Sequence, residues 1–147
     1  MRRIEGMRRH MRAALNTSPI SERVMPITHI DRLARLGESV LSLGNAAGEG
    51  WLLPAEMLEF LEHGTSNILC LQPFGCLPNH VVGRGAFKAV RRQRPEANIM
   101  ALDYDPGSSS ANQLNRIRLF MAIAREREEE RRQARHSLVD MAAPSMC

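Results

Sequence analysis

Several residue types that would fix the class of this protein at once are scarce. Aromatic residues make up only 4% of the 147-residue chain, so the volume of any core must come from Leu, Ile, Val, Met and Ala. Three cysteines, odd in number and unevenly placed, exclude a disulfide framework. They point instead to thiols or ligands in a reducing compartment. No apolar run approaches the length of a membrane-spanning helix. The opening MRRIEGMRRHMRAAL is Arg-rich and somewhat amphipathic, as a transit peptide can be, but it has no apolar centre or small-residue cleavage site. The expectation is a cytoplasmic chain with no membrane partner. Lysine is nearly absent too: Lys88 stands alone.

What is present is arginine, spread over three segments and often beside glutamate. A net charge of +4 and a pI near 9.6 therefore reflect solvated helices rather than a stripe that tracks phosphates. No nucleic-acid partner is expected. The length suits one domain with one modest core.

Residues 1–38 read as a helical appendage. Ile4, Met7, Met11 and Leu15 have helical spacing until NTSP stops them, the segment around Pro26 is irregular, and Thr28 can cap a short helix bearing Ile30, Leu33 and Leu36. From residue 39 the rhythm changes. SVLSLGN, NILCLQPF and NIMALDYD are strand-like runs, separated by helix-like WLLPAEMLEFLEHG and GAFKAVRRQR. A long helix then begins near Ser108–Ser110, with Leu114, Ile117, Phe120, Met121 and Ala124 as its core stripe. Its second half is charged, with Glu128 and Arg132 spaced i,i+4, and HSLVDMAAPSMC is a frayed tail.

The expected architecture is α/β: a Rossmann-like, three-layer βαβαβα unit with a short parallel sheet over 39–124. N-terminal helices precede it, and a charged helix and tail (125–147) follow.

Ligands in open α/β sheets bind at the carboxyl ends of the strands. Here those ends lead into GNAAGEG, QPFGCLPNH and DYDPGSSS, where the unusual residue combinations fall. Cys76, in a turn between Gly75 and Pro78, is either a thiolate for a soft metal or iron–sulfur cluster, or a small residue filling a tight turn. Cys70 lies inside a strand and reads as a small hydrophobe or a further ligand. With His80 the pair spells C-x5-C-x3-H, not a standard zinc spacing and one ligand short, so His80 is a ligand or a cap of the turn. Glu49, between glycines, is a catalytic acid or base, or a carboxylate favoured by the amino end of the next helix. Asp103 and Asp105 are turn formers or site carboxylates. Asn112 and Asn115 share a face with the apolar stripe, and Gly83-Arg84-Gly85 is a weak anion-site signal. Cys147 is assigned no role.

Two strings, GNAAGEGWLLPAEMLEFLEHGTSNILCLQPFGCLPNHVVGRG and ANIMALDYDPGSSSANQLNRIRLF, carry a resemblance. In order and content they resemble the last domain of the 2-hydroxyacyl-CoA dehydratase activase-related proteins, relatives of the activator and dehydratase components of 2-hydroxyglutaryl-CoA dehydratase. The resemblance runs over about residues 36–124 and rests most specifically on GEGW, LQPFGCLPNH and DYDPGSS…NQLNRI. Ala46 and Ala47 stand where Gln and a small polar residue are usual, and Ser108 where Ala is usual.

The resemblance implies a system in which an ATP-driven activase passes one electron to a partner. That partner holds a 4Fe–4S cluster and dehydrates a 2-hydroxyacyl-CoA through a ketyl radical. It also implies Cys76 as a cluster thiolate and Cys70 as a weaker match, and it puts Glu49 and His80 on motif positions without assigning either a role. Because the activase nucleotide-binding domain has no counterpart here, the chain resembles a C-terminal piece that works with other domains or subunits. Two other readings stand beside it: a docking module for protein or acyl-CoA with no cluster, and a small zinc site on Cys70, Cys76 and His80.

Overall fold

The computed structural model describes residues 2–17, 28–105 and 107–142. The expectations for the segment around Pro26, for Pro106 and for Cys147 lie outside them. Helix α1 (Arg2–Asn16) ends where expected, and Thr17 Oγ1 donates to the carbonyls of Ala13 and Ala14. Helix α2 (Ile30–Glu38) starts one residue later than Thr28 would place it. His29 is the cap, its Nδ1 accepting the Asp31 N–H at 3.2 Å.

The first strand-like run is not a strand. Among the described residues the sheet has two strands, β1 (Asn67–Pro73) and β2 (Asn98–Tyr104), paired in parallel from Asn67↔Asn98 to Pro73↔Tyr104. Residues 39–45 instead finish α2 and turn. Val40 and Leu41 donate their N–H groups to Gly37 O, while Ser39 Oγ bonds Leu36 O and Asn45 Nδ2 bonds Ser42 O. Ser39, Ser42 and Asn45 offer the backbone local partners, and those partners outcompete a ladder.

Helix α3 (Leu52–Glu62) and helix α4 (Arg84–Gln93) cover one face of the sheet. Met57, Leu58 and Leu61 of α3 meet Phe87 and Val90 of α4 over Ile68, Ile99 and Ala101. Each large side chain so buried stabilises the fold by about 1.5–3 kcal/mol relative to exposure. Helix α2, read from the sequence as part of an appendage, packs on α3. A Cβ on Gly37 would sit 3.0 Å from Trp51, and Arg32 Nη2 meets Glu62 Oε2 at 2.7 Å.

Helix α5 (Ser110–Ala142) opens as expected, with Ser109 Oγ accepting the Asn112 N–H. Its inward face differs from the expected stripe. Phe120 is buried, but Leu114, Ile117 and Met121 are 46%, 36% and 43% exposed. Gln113 and Arg116 turn inward instead. Among the described residues strand β2 has no neighbour beyond β1, so its odd-numbered carbonyls face outward, and each takes a side-chain donor. Ile99 O takes Arg91 Nη2, Ala101 O takes Arg116 Nε and Nη2 (3.2 and 2.9 Å), and Asp103 O takes Gln113 Nε2 (3.0 Å). The opposite edge differs. By the same alternation, the N–H and C=O groups of Asn67, Leu69 and Leu71 point away from β2, and among the described residues none has a backbone partner there.

The helix runs unbroken through Ala124. Arg127 Nη1 reaches Glu96 O at 2.6 Å and Arg131 reaches Ser66 Oγ at 3.2 Å, so the charged half is tied to the body. Among the described residues no helix is long and apolar enough to cross a membrane.

Two stability measurements check this packing. In urea titration, Ile99→Ala should lose about 2–5 kcal/mol, whereas Leu119→Ala, at a 56% exposed position, should stay within about 0.5 kcal/mol of the parent. The second concerns Glu59, buried in α3 with Oε1 unpartnered among the described residues. Burial raises its pKa above the ordinary 4.5, against the pull of His63 and Arg32. A carboxyl that holds its proton more tightly when folded favours the fold below 4.5 and loses that advantage as pH rises through the raised value. Glu59→Gln should therefore match the parent in acid and exceed it at neutral pH, read as urea midpoints across the pH range.

Candidate functional site

Parallel pairing puts the carboxyl ends of β1 and β2 side by side, with Pro73 opposite Tyr104. The loop 44–50 joins them by contact. A Cβ on Gly48, at φ +60°, would lie 2.7 Å from Pro78 Cγ. All three loops singled out in the sequence therefore gather at one end of the sheet.

The turn after β1 is built on Gly75, at φ +68°, a backbone conformation that side chains other than glycine resist. It brings the Cys76 N–H to Pro73 O at 3.2 Å. His80 closes the same turn. Its N–H donates to Cys76 O at 3.1 Å, and its Nε2 lies 3.2 Å from Pro73 O, which makes that nitrogen the protonated one. His80 is thus a cap of the turn. A π-helical turn follows over Pro78–Gly83, in which the Arg84 N–H reaches back to Asn79 O. Such widened turns re-aim the side chains they carry.

The side chain re-aimed here is Asn79. Its Nδ2 donates to Cys76 Sγ at 3.1 Å, and Cys70 Sγ lies 4.0 Å from its Oδ1. One amide therefore touches both thiols. Gln72, fully buried on the core face of β1, ties down the Asn79 backbone: its Nε2 donates to the Asn79 main-chain carbonyl at 3.0 Å, and its Oε1 has no partner among the described residues. Burial pushes the Cys70 thiol up from its ordinary 9.0 and keeps its proton on. A thiol S–H donates and a sulfur lone pair accepts, so the polarity of Asn79 fits Cys70 as the donor and Cys76 as the acceptor.

The remaining candidates serve elsewhere. Among the described residues no three His, Cys, Asp or Glu side chains are grouped as a metal would require. Cys70, Cys76 and His80 do not form a triad, because Asn79 stands between the sulfurs and His80 is engaged with Pro73. Glu49 is exposed. Its carbonyl accepts the Leu52 N–H at the start of α3, and its charge adds to burial and Glu59 in raising Glu56. Asp105 is a turn former, with Oδ1 on Gly107 N–H and Oδ2 on Ser108 Oγ, both at 2.8 Å. Asp103 and Asp105 line a hollow of about 260 Å³ with Ser108, Asn112 and Arg116, while Asn115 is exposed. Gly83 is buried against Leu53, a packing role rather than an anion site.

Sequence reasoning singled out both cysteines and His80 but missed Gln72 and Asn79. A signal existed: Gln72 falls on the core side of an otherwise apolar strand, where a polar side chain needs a partner.

The chain matches no protein-family model, no curated protein and no solved structure.

The loop contact can be tested directly. Gly48→Ala places a side chain at positive φ and against Pro78, and should cost about 1–2 kcal/mol or more. Gly85→Ala meets nothing within 4 Å inside α4 and should be neutral or stabilising. Thermal or urea unfolding of the two variants checks both.

Proposed function

We propose that this chain is a Rossmann-like, dehydratase-related domain acting in the cytoplasm, whose working group is the Cys76 thiolate at the carboxyl end of β1. It offers that thiolate to a 4Fe–4S cluster completed by other domains or subunits of a 2-hydroxyacyl-CoA dehydratase/activase-type system. The observation that supports this most is the Asn79 N–H held on Cys76 Sγ at 3.1 Å, since amide N–H···S bonds are among the levers that tune iron–sulfur centres. The sequence resemblance in LQPFGCLPNH supplies the reaction class.

The residues present fit one corner of a cluster and not a whole one. No group of three ligands exists among the described residues, and Cys70 is held as a thiol. When bound, such a cluster supplies one-electron chemistry to a thioester substrate. This chain's own contribution is narrower: it places one sulfur, keeps a hydrogen bond on it, and keeps a proton on the neighbouring thiol.

A second reading has an observation of its own. Phe74, Leu77 and Val81 flank Cys76 in sequence and are 86%, 63% and 59% exposed. Exposed apolar side chains gathered in this way mark interaction surfaces. On this reading the same end of the sheet is a docking face for a protein or an acyl-CoA, with no cluster.

Anaerobic reconstitution separates the two. The chain is given iron, sulfide and excess small-molecule thiol, which can stand in for the missing ligands, and iron content and the visible spectrum are measured. Iron with a sulfur-to-iron charge-transfer band in the parent and in Cys70→Ala, lost in Cys76→Ala, is the expected result. A folded but colourless and iron-free parent would overturn the cluster reading in favour of docking.

A further inference from the structure

We propose that this protein forms a twofold dimer in which a stripe on α5 of one copy lies along α4 of the other. Leu119 then sits against Val81, Glu126 against Lys88, and Glu130 against Arg92. The proposal is separate from the reading of Cys76 and holds with or without a cluster.

Helix α4 carries four cations and no anion. Arg91 is occupied at Ile99 O. Arg84, Lys88 and Arg92 are exposed, follow one another at one-turn spacing, and have no ion pair among the described residues. Like charges at i,i+4 repel along a helix, and Arg84 stands at the amino end, where the helix dipole disfavours a cation. Such a row is relieved by anions presented at the same spacing.

The same chain carries those anions. On α5, Glu128 is taken by Arg131 and Arg132, but Glu126 and Glu130 are exposed, one turn apart, and without an ion pair among the described residues. Leu119, seven residues before Glu126 and on the same helical face, is 56% exposed. Val81, seven residues before Lys88, is 59% exposed. Both stripes therefore run apolar, charged, charged at intervals of seven and four residues, with opposite signs. Those intervals are about 10 and 6 Å along a helix. The long side chains of Lys88 and Arg92 absorb the small difference in rise that the π-helical turn around Val81 introduces. Within one copy these charges do not meet, so the occupant they call for is a second copy.

The register requires the two helices to run in the same direction, and they do. Helix α4 joins two parallel strands and so runs against them. Helix α5 does too, since Gln113, Arg116 and Arg127 meet Asp103, Ala101 and Glu96 in turn. A twofold axis along the strands leaves helix directions unchanged. It sets α5 of the second copy beside α4 and repeats the contact with the roles exchanged, which closes the assembly at two. A contact of this size gives a weak dimer, with a dissociation constant of about 1–50 μM.

The test is sedimentation velocity of the full chain over about 1–100 μM. The parent should pass from monomer to dimer in that range. Lys88→Glu puts like charges face to face and should weaken the dimer about tenfold or more, and Glu126→Lys should do the same. Lys88→Glu combined with Glu126→Lys keeps the parent's net charge and should dimerise as the parent does. An equimolar mixture of the two single variants should also pair. Arg9→Glu, at an exposed position of α1, changes the net charge as much as Lys88→Glu does and should leave the dimer intact.

A parent that stays monomeric throughout overturns the proposal. So does a dimer that neither single variant weakens, which is then made elsewhere, or a doubly exchanged variant that stays monomeric. An equal loss in Arg9→Glu would mark general repulsion and would overturn it as well. Circular dichroism checks that each variant is folded, and if one single variant is not, the other decides.

Discussion

A parallel sheet of two strands has two edges and almost no middle, and its unpaired carbonyls constrain the rest of this molecule. An unpaired carbonyl out of water costs about as much as a lost hydrogen bond. Along β2 the cost is avoided by side chains. Arg91 comes from α4, and Gln113 and Arg116 come from α5. That demand explains why α5 does not lay its apolar stripe on the sheet. Turned by one residue, it gives Gln113, Arg116 and Phe120 to the strand and leaves Leu114, Ile117 and Met121 partly in water. Hydrogen-bond satisfaction outweighed burial here, which is the expected order when the orphan group belongs to the backbone.

The site follows from the same geometry. Side chains on the core face of β1 alternate Ile68, Cys70, Gln72, and the last of these is where the apolar core gives way to polar contacts. Gln72 is buried because it stands on that face, and its Nε2 finds an acceptor because the Asn79 backbone comes back over it. The return is made by the Gly75 turn and the π-helical segment, so two backbone irregularities in succession bring an amide onto two thiols. Mutation of the turn and mutation of the amide would thus act on one unit and need not be additive.

Much of this fold can be read from the sequence, and the misreadings have physical causes. Strands β1 and β2 and helices α3, α4 and α5 are marked by apolar runs and by Gly and Ser punctuation, and they form where those signals stand. Residues 39–45 carry the same kind of signal and form turns. Periodicity reports what a segment prefers to bury, and it cannot report whether a neighbouring strand exists to pair with it. The inward face of α5 was misjudged for a related reason: hydrophobicity was counted, and the donors needed by another element's carbonyls were not. In the site, reactive residue types drew notice while the amides that arrange them did not. Asn79 and Gln72 are ordinary polar residues until their partners are seen.

The two edges of the sheet differ, and that difference sets an arithmetic for assembly. Guanidinium and amide groups occupy the outward carbonyls of β2, so no further strand can enter there without displacing them. The outward groups of Asn67, Leu69 and Leu71 carry no such cover among the described residues. Growth by strand addition is therefore one-sided. A strand supplied by a larger polypeptide would be a single insertion, and two copies meeting through β1 would exhaust each other's free edge and stop at four strands. Filaments need two open sides on every unit, and this unit has one.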